Sequence, residues 1–184
     1  MKKLFLLVVF AFFSASIFSQ TQVEVFGKLV EGTVTPDINV FATKKISEKV
    51  SLTAFTLVEE KWSEALVGVT YCPTSNLELG LSAGIEQNEA LYRLGGSVWI
   101  GSGKTSLLIL VEKGDGLDNY WYKSVVNYKV SEDLSVGISA WRFHGIGPVL
   151  KLAIKDLDCK VWINPAYDLE VNKTKIMLGL DISF

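Results

Sequence analysis

Residues 173–184 close the chain and read KTKIMLGLDISF. Large apolar side chains occupy every second position from Ile176 to Phe184, and most positions between them are polar or small. A period of two is typical of a β-strand with one apolar and one polar face. The segment therefore predicts a terminal strand that ends on its apolar face at an aromatic residue. An edge strand of a soluble sheet is the alternative for this segment alone.

The first 19 residues have the composition of a secretory signal peptide. Two lysines precede an apolar run over residues 4–13, and small residues follow up to Ser19. This apolar run is too short to cross a bilayer as a helix. We therefore predict an exported protein in which residues 1–19 are a signal peptide and residues 20–184 form one domain.

Alternating segments of about ten residues, bounded by turn-forming residues, recur throughout this domain. The segments are 22–31, 37–46, 50–59, 64–72, 77–86, 90–101, 105–113, 120–130, 134–143, 147–155, 159–167 and 171–184. Their length suits tilted strands that cross a membrane, and an even number returns both ends of the chain to one side. The pattern predicts an all-β fold, a closed antiparallel up-and-down barrel of about twelve strands with short loops on both sides.

Aromatic residues on the apolar faces favour a membrane barrel over a soluble one. The apolar face points inward in a soluble barrel and outward in a membrane barrel, and alternation alone does not distinguish the two. The aromatics fall into two sets near the two ends of the strands. These sets are Tyr71, Tyr128 and Phe184 at one end, and Tyr92, Tyr120, Tyr122 and Tyr167 at the other. Two aromatic girdles that flank an apolar band are typical of a barrel in a bilayer.

The signal peptide, the alternating segments and the terminal Phe184 together resemble the outer-membrane β-barrel protein superfamily of Gram-negative bacteria. The resemblance implies location in the outer membrane, contact with its lipid, and recognition of the C-terminal strand, with Phe184 as assembly signal, by the barrel assembly machinery. It indicates no narrower family. The connections are shorter than the superfamily's usual outer loops, which argues against a loop folded into the lumen. Nucleic acid is excluded as an expected partner, because the formal net charge is −2 and no polybasic segment is present.

The phase of the alternation also assigns charged residues to the lumen. The lumen-facing candidates are Glu64, Glu78, Glu86, Arg93, Lys123, Lys129, Lys151, Lys155, Lys173 and Lys175. Glutamates concentrate on the third to fifth strands, and lysines on the eighth and the tenth to twelfth, with Asp181 as the exception. Closure is therefore predicted to set an acidic wall against a basic one, an arrangement that admits small ions and orients dipolar solutes. Inward aromatic residues such as Trp141 and Trp162 predict the alternative, a plugged lumen.

Motifs for catalysis or for binding a cofactor or metal are weak. The segment 101–105, GSGKT, lacks the earlier glycine of a phosphate-binding loop and predicts a hairpin turn. His144, the only histidine, has no serine two residues further on to serve as a nucleophile. Acidic residues around Asp115 lack the ligand spacing of a calcium loop. Cys72 and Cys159 fall on opposite faces of distant strands, which predicts two free thiols.

Three functions from different classes follow from these features. A passive porin-like channel for small polar or charged solutes is favoured by the charged lumen. A non-conducting barrel that anchors or docks another envelope protein is the alternative. A lipid-modifying enzyme of the outer membrane is the weakest of the three, because no nucleophile and base can be assembled around His144. We expect no enzymatic activity and no cofactor, and the sequence specifies neither the solute nor the oligomeric state.

Overall fold

The structure is a computed structural model that describes residues 20–87 and 92–184. The signal peptide predicted over residues 1–19 and the turn predicted at Asn88 lie outside these residues. In the part that is described, twelve antiparallel strands close into one barrel, because each strand pairs with its neighbours in sequence and β1 pairs with β12. The strands are β1 (Gln20–Val30), β2 (Thr33–Lys45), β3 (Val50–Glu59), β4 (Ser63–Thr74), β5 (Leu77–Glu86), β6 (Tyr92–Ser102), β7 (Thr105–Gly114), β8 (Tyr120–Lys129), β9 (Leu134–Trp141), β10 (Gly145–Ile154), β11 (Cys159–Asp168) and β12 (Lys173–Ser183).

The predicted fold class is confirmed. The predicted bounds of β3 and β5 coincide with the observed ones, because charged residues end both of these regularly alternating segments. The prediction was less accurate at the connection between β9 and β10, where β9 ends at Trp141 and β10 already begins at Gly145. A single 3-10 turn over Lys155–Leu157 joins β10 to β11. No helix in the described residues is long and apolar enough to cross a membrane.

β1 begins and β12 ends at the same rim of the barrel, which we call the terminal rim. Thr21 and Phe184 exchange backbone hydrogen bonds of 2.8 and 3.2 Å there. The turn at residues 103–104 also lies at this rim, so GSGKT is a hairpin turn as predicted. We call the opposite rim the far rim. There the turn of Glu31 and Gly32 joins β1 to β2, and its φ angles of 49° and 84° are those of a type I′ hairpin.

The outer face of the barrel is apolar and the inner face holds the buried charges. Leu81 is 77% exposed on the outside, and Val67 and Ile85 are exposed beside it. Arg93, by contrast, is 3% exposed on the inside. This arrangement is the reverse of that in a soluble barrel, whose apolar face points inward. The girdle aromatics are exposed at Tyr71, Tyr92, Tyr120, Tyr122, Tyr128, Tyr167 and Phe184.

The two cysteines are free, as predicted. Cys72 lies near the end of β4 and Cys159 begins β11, and these strands are not neighbours in the barrel. Their distance around the wall keeps the two sulfur atoms apart.

Candidate functional site in the barrel lumen

An aromatic cluster occupies the lumen beside β9 to β12. The Phe26 ring of β1 lies 5.4 Å from the ring centroids of both Trp141 and Trp162. Trp121 meets Trp141 edge to face at 6.2 Å, and Met177 is completely buried beneath the cluster. Because β1 and β9 are not neighbours, the contact between Phe26 and Trp141 crosses the lumen. Burial of this much aromatic surface stabilises the barrel from within.

The inward residues of β9 to β12 form a tightly packed surface, which we call the filled wall. Its buried members are Ser139, Trp141, Gly147, Val149, Trp162, Asn164, Ala166, Met177 and Gly179. Trp162 lies flat over Gly179, where a Cβ atom would stand 2.4 Å from the indole ring. The Ser139 hydroxyl donates to the Asn164 side-chain oxygen at 2.8 Å, and the Asn164 amide donates to the Pro148 carbonyl at 2.7 Å. Both polar side chains, Ser139 and Asn164, are 2% exposed.

Six of the inward residues of β4 to β6 form a contrasting surface, which we call the open wall. These six residues are small and partly exposed: Gly68, Gly80, Ser82, Gly84, Gly95 and Ser97. At Gly84 the strands approach so closely that a Cβ atom would lie 1.9 Å from the Ala65 carbonyl oxygen. Small side chains leave the adjacent part of the lumen accessible to solvent.

A buried charge cluster lies where the open wall meets the far rim. The Arg93 guanidinium contacts Glu64 at 2.8 Å, Glu86 at 2.8 Å and Glu112 at 2.6 Å. All four side chains are at most 10% exposed. We call these four residues the Arg93 cluster. Buried ions require such partners, because each charge loses its hydration shell.

A cavity of about 440 Å³ opens at the terminal rim. Its lining includes Trp99 and four lysines, Lys104, Lys129, Lys151 and Lys160. Two carboxylates, Glu132 and Asp133, also line this cavity and both contact Lys155, at 2.7 and 3.0 Å. We call this cavity the terminal vestibule, and its free charge is positive.

The predicted lumen residues do not lie together in one group. Glu64, Glu86 and Arg93 meet in the Arg93 cluster, whereas Lys129 and Lys151 line the vestibule. The remaining predicted positions separate along the barrel. Glu78 is exposed on β5 opposite Trp99, Lys123 stacks 3.8 Å above the Trp141 ring, Lys155 lies in the 3-10 turn beyond β10, Lys173 contacts Glu31 at 2.7 Å, and Lys175 contacts Asp168 at 2.5 Å.

The predicted acidic and basic walls leave out two inward charges. Arg93 of β6 stands beside Glu64 and Glu86, and Glu24 of β1, which accepts a hydrogen bond from Asn39 at 2.7 Å, belongs to neither predicted wall. Glu112 is missing from the predicted lumen residues, although it is in phase with the inward positions of β7. Arg93 and Gly95 point inward from β6, and Gly95 pairs with Glu112 on β7. Paired residues face the same side of a sheet, so this pairing identifies Glu112 as an inward residue.

His144 lies inside the barrel rather than in an outer loop. Its ring stacks on Trp141 at 3.8 Å, and its Nδ1 lies 3.1 Å from the Arg142 carbonyl oxygen. A carbonyl only accepts hydrogen bonds, so Nδ1 carries the proton and Nε2 has a free lone pair. Burial, with Lys28 as the next cause, lowers the pKa of His144 to about 3. The contacts of His144 thus include no nucleophile to activate.

No group of three or more His, Cys, Asp or Glu side chains is placed to hold a metal ion within residues 20–87 and 92–184. Asp118, one of the acidic residues near Asp115, contacts the Arg142 guanidinium at 2.7 Å. An arginine partner of this kind competes with any cation for the carboxylate.

Solved porin structures have the same fold. The KdgM porin in complex with disordered oligogalacturonate matches with a TM-score of 0.62 and 12% identity, over 89% of this chain and 99% of that chain. The NanC porin matches with a TM-score of 0.55 and 8% identity, over 87% of this chain and 98% of that chain. No family model and no curated protein sequence matches the chain. The chain has the barrel fold of the outer-membrane β-barrel superfamily, which confirms the resemblance at the level of fold.

Proposed function

We propose that the chain forms a passive outer-membrane channel for small polar or charged solutes, and that its terminal vestibule favours anions. The observation that carries this proposal is the vestibule itself. Its volume is about 440 Å³, and Lys104, Lys129 and Lys160 have no ion-pair partner among the described residues. Unpaired positive charges inside a low-dielectric wall raise the local concentration of anions.

The open wall supplies a polar path from the vestibule toward the far rim. Ser97 is the next inward residue after Trp99 on β6, and it pairs with Gly80 on β5. Both positions are partly exposed to solvent. Hydroxyl groups and backbone at such positions offer hydrogen bonds without blocking the lumen, which suits passage of hydrated solutes.

The porin neighbours support the same class of function. KdgM is described as a porin in complex with disordered oligogalacturonate, and NanC is also described as a porin. For this chain, the proposal extends to small polar and anionic solutes and to location in the outer membrane. No particular solute is assigned.

Planar-bilayer recording of the purified, folded protein tests the proposal. The wild type is expected to give discrete conductance steps, and the double variant Lys129→Glu/Lys160→Glu is expected to shift the reversal potential toward cation preference. The matched control is Lys44→Glu/Lys49→Glu, which makes the same change in net charge outside the vestibule lining. Folded protein without conductance steps, or equal selectivity in both double variants, would contradict the proposal.

A second candidate is a non-conducting barrel that anchors or docks another envelope protein. The contact between Phe26 and Trp141 across the lumen favours it, because aromatic packing at 5.4 Å excludes solutes from that part of the barrel. Silent bilayers with folded protein would favour this candidate. A lipid-modifying enzyme is not proposed, since within residues 20–87 and 92–184 no nucleophile is hydrogen-bonded to His144 Nε2.

Recognition of the terminal strand by the barrel assembly machinery belongs to the same proposal. Phe184 is 74% exposed, while its backbone pairs with Thr21. Its side chain is therefore accessible outside the wall, as an assembly signal requires.

A further inference from the structure

The turn between β9 and β10, residues 142–144, sits below the far rim. β9 has eight residues, whereas β8 and β10 have ten each. Because Lys123 pairs with Trp141, the first three residues of β8 extend past the end of β9 toward the far rim. The short hairpin therefore leaves a notch in the wall, and its turn lies at the level of the lumen contents.

The turn packs inward across the lumen. His144 is 5% exposed, stacks on Trp141, and lies 6.0 Å from the Phe26 ring of β1. Since β1 borders neither β9 nor β10, this last contact places the imidazole in the interior of the barrel. The lumen beside the turn is thus occupied by the turn's own side chain.

Two cations hold the turn in this position. Arg142 donates to Asp118 Oδ1 at 2.7 Å and to the Asp118 carbonyl at 2.8 Å, and it also bonds to the Tyr120 carbonyl. The Lys175 ammonium of β12 donates to the Phe143 carbonyl at 2.7 Å. We call Arg142 and Lys175 the latch, because together they bind the turn from both sides of the notch.

The turn's backbone requires such support. Phe143 has a φ of 67°, in the left-handed region that bulky residues seldom adopt. Gly145 follows with a φ of 104°, and a Cβ atom there would lie 2.5 Å from the Tyr167 carbonyl. A strained conformation that its surroundings maintain is a reason to infer a functional role for the segment.

We propose that residues 142–144, held by the latch, form the constriction of the lumen and set the size limit for solutes. This inference rests on the proposed channel function. The turn confines passage to the side of the open wall, because His144 and the aromatic cluster close the other side. Arg142, His144 and Lys175 are accordingly the residues that determine size selectivity.

Removing parts of the constriction should widen the path. In Arg142→Ala and Lys175→Met the latch is weakened, and in His144→Gly the ring is removed while both latch residues remain. Each variant is expected to raise single-channel conductance by about twofold or more, since conductance follows pore cross-section. Liposome swelling should then admit larger neutral oligosaccharides than the wild type admits.

The matched control is Lys61→Met, which makes the same change in net charge as Lys175→Met. Lys61 is exposed in the connection between β3 and β4, at the far rim but outside the turn and the latch. The control is expected to leave conductance and the size limit unchanged. Heat-modifiable migration on gels verifies that each variant is folded, and His144→Gly decides the outcome if a latch variant does not fold.

The possible outcomes separate the two proposals. A conducting wild type with wider variants supports both, and a silent wild type with conducting variants supports the constriction but overturns the open channel. A conducting wild type with unchanged, folded variants overturns the constriction alone. Silence of all the folded proteins overturns both.

Discussion

On the filled wall, Ser139 is buried and donates its hydroxyl hydrogen to Asn164, whereas on the open wall Ser97 faces the backbone of Gly80 and stays partly exposed. Both serines point inward, one from β6 and one from β9. Their surroundings differ because the Asn164 side chain contacts the first, while Gly80 lies opposite the second. Side-chain size at inward positions, rather than the strand pattern, therefore decides where the lumen is open.

The ends of the two walls differ as well. The open wall meets the far rim at the Arg93 cluster, in which three carboxylates surround one guanidinium. The filled wall meets that rim at the β9–β10 turn, which Arg142 and Lys175 hold in place. Buried cations thus stand on both sides of the far opening. Arg93 lies beside the path among buried carboxylates, and Arg142 lies across it with an exposed partner, Asp118.

Loss of Arg93 should have the largest effect on stability. Arg93→Met leaves Glu64, Glu86 and Glu112 buried without a cation, which is expected to lower the free energy of unfolding by about 3–5 kcal/mol. Reversible unfolding in detergent micelles, followed by tryptophan fluorescence, measures this change. Lys173→Met removes an exposed ion pair and should cost less than about 1 kcal/mol. Similar losses in the two variants would show that the Arg93 cluster is not buried as described.

The sequence predicted the barrel well because each strand carries its own alternating signal. The same signal says which way a side chain points, but neither its height in the lumen nor its partner across it. His144 illustrates this limit, since its contact with Phe26 joins residues far apart in the chain. The prediction extended β9 to residue 143 because Trp141 and Phe143 keep the alternation, and only the positive φ of Phe143 breaks it.

The filled wall should also make the free energy of unfolding depend on pH, an effect smaller than that of losing Arg93. Burial holds the pKa of His144 at about 3, below its ordinary value of 6.5, so the unfolded chain binds a proton that the folded chain does not. The free energy of unfolding should therefore fall as the pH drops from about 6.5 to about 3, by at most about 1.4 kcal/mol per pH unit from this group.

His144→Gln should reduce that slope. His144 is the only histidine, so carboxylates account for the titration that wild type and variant share. Chemical unfolding at several pH values gives both curves. Parallel curves through this range would mean that His144 is accessible to protons in the folded barrel, and hence that the filled wall is not closed above it.

The most direct measurement of the contrast between the walls is modification of single cysteines in the lumen. In a background with Cys72→Ser and Cys159→Ser, Ser97→Cys and Ser139→Cys place matched thiols on the open and the filled wall. A charged, membrane-impermeant thiol reagent added during bilayer recording should react with the first and reduce the current, and should leave the second unmodified and its current unchanged. Equal modification of both thiols, or protection of Ser97→Cys alone, would contradict the assignment of the solute path to the open wall.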